Sequence, residues 1–83
     1  MKLNGKTAIV TGGGSGIGLA CTKLFSNEGA NVAIFGRRQD RLNKTAKEVG
    51  SQILPVSGDL MVNNDLENLV SKTLQTFGKI DIV

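Results

Sequence analysis

The chain has 83 residues, 40% hydrophobic and 20% charged, with one proline, one cysteine, no histidine and a formal charge of +3. This is the balance of one small folded domain, not of a disordered or collagen-like chain. No apolar stretch nears the length of a bilayer span, and the apolar segment after "MKLNGK" is too short for a secretory signal.

The period of the apolar residues alternates along the chain between strand-like and helix-like. "TAIV" (7–10) is a continuous apolar run of the kind expected in a strand buried on both faces. It leads into "TGGGSGIG", where five glycines fall within residues 12–18. From Ile17 the apolar residues stand at 17, 20, 21, 24 and 25, a helical stripe ended by Gly29. Cys21 lies on that stripe and reads as a core residue. "NVAIF" (31–35) predicts a second buried strand. Asp40 is then the expected N-cap of a helix with apolar face Leu42, Ala46 and Val49, stopped by Gly50.

"QILPVS" (52–57) predicts a third strand, and Pro55, which has no N–H to give a ladder, places it at a sheet edge. A third helix should be capped near Asn64 or Asp65, carry apolar positions 66, 69, 70, 74 and 77, and stop at Gly78. "KIDIV" (79–83) begins a fourth strand. This alternation predicts an α/β fold, a doubly wound parallel sheet with strand order 3-2-1-4, which puts the Pro55 strand at the edge as the proline requires.

The glycines need a reason, because glycine loses the most conformational entropy on folding. They stand where the first strand ends and the first helix begins, which is where an open α/β sheet takes its ligands. A helix N-terminus there offers unpaired N–H groups and the positive end of its dipole to a phosphate. Bare backbone lets a dinucleotide pyrophosphate come close, and Gly18 lets the helix pack on the strand. The P-loop pattern fails because Leu19 stands where lysine is required, and GxGxxG fits no register. What fits is TGxxxGxG, with Thr11, Gly12, Gly16 and Gly18.

"KTAIVTGGGSGIGLA" resembles the cofactor-binding start of the short-chain dehydrogenase/reductase family, and "GRR", "GDL" and "FGKIDIV" continue the likeness along the whole chain. The resemblance implies a Rossmann-like fold, with residues 1–83 forming the N-terminal dinucleotide-binding part of a single domain, truncated in strand four. It implies an NAD(P)-dependent oxidoreductase moving a hydride between cofactor and a carbonyl or alcohol. The family's NNAG motif would follow Val83, and its catalytic Asn, Ser, Tyr and Lys would lie further on. No catalytic residue is assigned within this chain, which has no tyrosine from which a YxxxK could be built.

The resemblance implies a cofactor-binding set in the turn of Gly12, Gly14, Ser15, Gly16, Ile17 and Gly18, with Ser15 able to bond a phosphate oxygen or cap the helix. Where NAD-preferring relatives carry an acidic residue after strand two, this chain has Gly36 followed by Arg37 and Arg38. Two guanidinium groups and no carboxylate at that position favour a 2′-phosphate, hence NADP over NAD. Asp40, the other candidate for the ribose, lies past the strand and reads better as an N-cap. Asp59 and Leu60 match the family position that meets the adenine ring, the carboxylate accepting from the exocyclic amine.

Alternatives from other classes are a non-catalytic dinucleotide-binding module and an inactive fragment. Nucleic-acid binding ranks lowest: the basic window "RRQDRLNKTAK" is largely a solvated helix face, and the chain has no Trp, no Tyr and three Phe. With no histidine and a single cysteine, a metal site is not expected. The same single cysteine, which can form no internal disulfide, favours a cytoplasmic location. A small-molecule substrate, no membrane and homo-oligomers when full length complete the expectations.

Overall fold

The computed structural model describes residues 3–12, 16–50 and 52–82. Three strands and three helices alternate: β1 (Thr7–Thr11), α1 (Gly16–Asn27), β2 (Asn31–Gly36), α2 (Gln39–Val49), β3 (Ile53–Ser57) and α3 (Asn63–Phe77). β2 is central and pairs in parallel with β1 on one side and β3 on the other. Pro55, in β3, therefore sits on an outer strand, opposite Ile34. On the free side of β1, Ile82 makes a single parallel bridge to Ala8. Among the described residues, the fourth strand expected over 79–83 amounts to that bridge.

Strand side chains alternate between faces, and here both faces are apolar. Val10, Val32, Ile34 and Ile53 join Ala30 and Leu42 in one cluster, against which Cys21, Phe25, Ala46 and Val49 of α1 and α2 pack. Ile9, Ala33, Phe35 and Val56 join Leu69 of α3 in a second cluster, with Leu54, Leu66 and Ile80 against it. A sheet covered by helices on both sides is the doubly wound arrangement, and it explains why β2 reads as an unbroken apolar run.

The helices differ from expectation in which residues they bury and where they begin. On α1, Cys21 and Phe25 reach the core, while Ile17 and Leu24 are exposed. On α3, Val70 and Leu74 are exposed and the buried residues are Leu69 and Thr73. Threonine can be buried here because its hydroxyl donates to the carbonyl four residues back: Thr73 to Leu69 at 2.7 Å and Thr22 to Gly18 at 2.8 Å.

Neither expected N-cap holds. The N-cap of α2 is Arg38, so Asp40 falls in the first turn, and the N-cap of α3 is Val62, with Asn64 and Asp65 inside the helix. A carboxylate in the first turn still faces the positive end of the helix dipole, so the favourable charge is kept without a cap. The stops are where expected: Gly50 and Gly78 are C-caps, and both have the positive φ that side-chain-bearing residues avoid.

Candidate functional site at the carboxyl edge of the sheet

The register brings the three strand ends side by side. Thr11 pairs with Phe35 and Gly36 with Ser57, and the ladder runs on past the strands. Gly12 donates its N–H to the Phe35 carbonyl at 2.7 Å, and Gly58 donates to the Gly36 carbonyl at 2.9 Å. Gly12, Gly36 and Gly58 thus form a row across the carboxyl edge, with Arg37 and Asp59 immediately beyond it.

These glycines serve different ends. Gly12 and Gly16 have φ of +69° and +54°, and a Cβ at either would meet nothing within 4 Å. Both leave open space beside the N-terminus of α1, the room that a phosphate needs against bare backbone. At Gly58, by contrast, a Cβ would lie 2.8 Å from the Phe35 ring and 3.0 Å from the Asp65 Cβ. That glycine is required by packing inside the protein. Gly18 lies within α1 and its carbonyl accepts from Thr22, while Ile17 is 84% exposed at the helix start. Gly14 and Ser15 lie outside the described residues, as does Gly13. Beside the turn, an open groove of about 600 Å³ runs between β1 and α1, lined by Ile9, Val10, Ile17, Cys21, Phe25 and Ile82 among others.

The two arginines after β2 part company. Arg38 turns back to Asp40 in its own helix, with two contacts of 3.4 Å. That side-chain hydrogen bond is the main reason the Asp40 carboxyl is held below its ordinary range. Arg37 instead reaches across the strand ends to Asp59, 3.5 Å from guanidinium nitrogen to carboxylate oxygen. Three-quarters of the Arg37 side chain is exposed, so the pair is of the solvated kind that contributes ~0–1 kcal/mol.

Asp59 is firmly placed. Its backbone N–H donates to the Asp65 carboxylate at 2.9 Å, and its Oδ1 accepts from the Met61 N–H at 2.9 Å. Its carbonyl accepts from the Val62 N–H at 3.0 Å. Leu60 is exposed between them. From the sequence alone Asp65 is only a possible cap. Its position six residues after Asp59, at the start of a helix, is the signal that could have found its hold on the 58–62 loop. The Arg37–Asp59 pair had no local signal, because it depends on β2 and β3 lying side by side.

Among the described residues, no cluster of three or more His, Cys, Asp or Glu could hold a metal ion, and no helix is long and apolar enough to cross a membrane.

The chain and its fold resemble known proteins. The chain is 38% identical over 82 residues to an uncharacterised oxidoreductase of Staphylococcus epidermidis, covering 99% of this chain and 36% of that protein. It is 38% identical over 84 residues to a peroxisomal 2,4-dienoyl-CoA reductase of Arabidopsis thaliana, covering 98% of this chain and 28% of the relative. The crystal structure of the Brucella melitensis 3-ketoacyl-(acyl-carrier-protein) reductase, complexed with NADH, superposes with a TM-score of 0.93 at 37% identity, over 96% of this chain and 33% of that one. The chain thus spans about a third of the length of the relatives it matches. The family model of short chain dehydrogenases matches residues 6–83, and the chain belongs to that family.

Proposed function

We propose that this chain is the N-terminal dinucleotide-binding part, residues 1–83, of a Rossmann-like domain in an NADP-dependent oxidoreductase. The observation that carries the reading is the meeting, on one edge of the sheet, of open glycine backbone at Gly12 and Gly16 with a cation at Arg37 and an acceptor at Asp59. Gly12, Gly14, Ser15, Gly16, Ile17 and Gly18 would hold the pyrophosphate against the N-terminus of α1. Arg37, with Arg38 second to it, would take the 2′-phosphate. Asp59 and the backbone of Leu60 would take the adenine. When bound, the dinucleotide supplies or accepts the hydride, and the partner is a small carbonyl or alcohol. The acid/base residues would come from outside this chain, in a protein that is cytoplasmic and homo-oligomeric when full length.

Supporting the reading, two of the relatives are named as reductases, and the Brucella melitensis enzyme was crystallised with NADH. The step from a nicotinamide dinucleotide in general to NADP rests on Arg37, which can form charge-assisted, bidentate contacts with a phosphate. Arg38 is second because Asp40 already engages it.

The test is Arg37→Ala in the intact protein, titrated with NADP and NAD. A hydrogen bond to a charged group contributes ~1.5–3 kcal/mol, so NADP binding should weaken roughly 10- to 100-fold while NAD binding is not weakened. Equal losses for the two cofactors would refute the assignment of the 2′-phosphate.

A further inference from the structure

The site reading gives Arg37 and Asp59 separate duties, one at the 2′-phosphate and one at the adenine amine. The structure joins them to each other. Asp59 Oδ1 is already taken by the Met61 N–H, and Oδ2 is the oxygen that faces the guanidinium. Oδ2 is therefore the oxygen with more acceptor capacity left for an adenine amine, and it is the one that the Arg37 guanidinium faces, as an ion pair at 3.5 Å.

Resting on the functional reading above, we propose that Arg37 masks Asp59 and that a 2′-phosphate unmasks it, so that recognition of the phosphate and of the adenine amine are coupled. The pair is solvated and long, and a dianionic phosphate competes for the guanidinium with more charge and more acceptor oxygens than one carboxylate. Once Arg37 turns to the phosphate, Oδ2 is free to accept from the amine. A cofactor without the 2′-phosphate leaves Arg37 where it is, and its adenine amine competes with the guanidinium for that oxygen, a competition that costs at most about fivefold in affinity. Asp59 stays in place throughout, because Asp65 and Met61 hold it through bonds that do not involve Arg37. Discrimination then has two parts, the phosphate contact itself and an adenine contact that the phosphate releases. By linkage, each contact strengthens the other by the same factor.

The experiment is a four-ligand cycle on the intact protein: NADP, NAD and the purine analogue of each, in which a hydrogen replaces the adenine amine and N1 stays an acceptor. Affinities are measured by calorimetric titration. Replacing the amine should weaken the phosphorylated pair by about three- to tenfold and the unphosphorylated pair by less than about twofold. Arg37→Ala uncovers Asp59 for every ligand, so the two losses should become equal. Asp59→Asn keeps an acceptor for Met61 but no longer holds the guanidinium, and should equalise them as well. Equal losses in the unmutated protein, with NADP still bound more tightly than NAD, would overturn the coupling and leave the NADP reading standing. NADP and NAD bound equally would overturn both.

Discussion

At the amino edge of the sheet the chain is tied to itself through its backbone, whereas at the carboxyl edge it ends in glycines and charged side chains. Leu3 donates to the Glu28 carbonyl, Asn31 to Lys6, and Asp81 and Ile82 to Thr7, while the Thr7 N–H donates to the Asp81 carboxylate at 2.9 Å. These bonds join stretches far apart in sequence. Across the sheet, Gly12 and Gly16 face open space, Arg37 is largely exposed, and the ion pairs are solvated. One edge is closed by bonds between distant segments, and the other carries open glycine backbone and solvated charge. In an α/β sheet the helix N-termini gather at the carboxyl edge, so the division follows from topology before any side chain is chosen.

Phe35 ties the carboxyl edge to the core, and removing it should have the largest effect. It is 1% exposed, its carbonyl accepts from Gly12, and its ring lies against Gly58. Phe35→Ala should lower stability by about 3–5 kcal/mol, read from urea unfolding of the intact protein. It should also loosen the 58–62 loop, seen as faster amide exchange at Asp59 and Met61. A loss below about 1 kcal/mol would mean that the carboxyl edge does not lean on the core.

A more specific comparison uses two glycines with left-handed backbone. Gly16 stands at the carboxyl edge and Gly78 ends α3 at the amino edge, with φ of +54° and +82° and no atom near a Cβ at either. Valine at either position should cost about 1–2 kcal/mol of stability through the unfavourable φ. Only Gly16→Val would put branched carbons where the proposed pyrophosphate passes, and it should weaken NADP binding by about 100-fold or more, the equivalent of losing a charged contact completely. If Gly78→Val weakened binding as much, the glycine turn would be a structural bend and the contrast between the edges would fail.

The fold was legible because burial on both faces leaves continuous apolar strands, and because Pro55 fits only an outer strand. The helix starts were less legible. A cap depends on where the preceding turn releases the chain, and here it does so before Asp40 and before Asn64, leaving Arg38 and Val62 as caps. The helical period extends the stripes on α1 and α3 beyond what the sheet covers, since Ile17, Leu24, Val70 and Leu74 follow it yet are exposed. In the site, Gly12, Gly16 and Arg37 carry local signatures of residue type and position. The hold of Asp59 on Arg37 does not, because 22 residues and a crossover helix separate two side chains that only sheet pairing brings together.

The smallest expected effect separates two carboxylates, both held below the ordinary range. For Asp81 the main cause is the hydrogen bond from the Thr7 N–H, with Lys79 adding to it; for Asp40 it is the side-chain hydrogen bond from Arg38. A folded-state value below the unfolded one means stability that is present above the unfolded value and lost as pH falls through the folded one, so the window lies below about pH 4. The two should not contribute alike. Arg38 and Asp40 are two residues apart and can pair in the unfolded chain, which cancels much of the difference between states. Thr7 and Asp81 are 74 residues apart and meet only when β1 has its neighbour. Urea midpoints of the intact protein at pH 6 and pH 3 should therefore fall less on acidification in Asp81→Asn than in the unmutated protein. Asp40→Asn should leave the fall almost unchanged. The reverse order would place the acid-sensitive tie at the carboxyl edge, and the amino edge would no longer be the part that closes the fold.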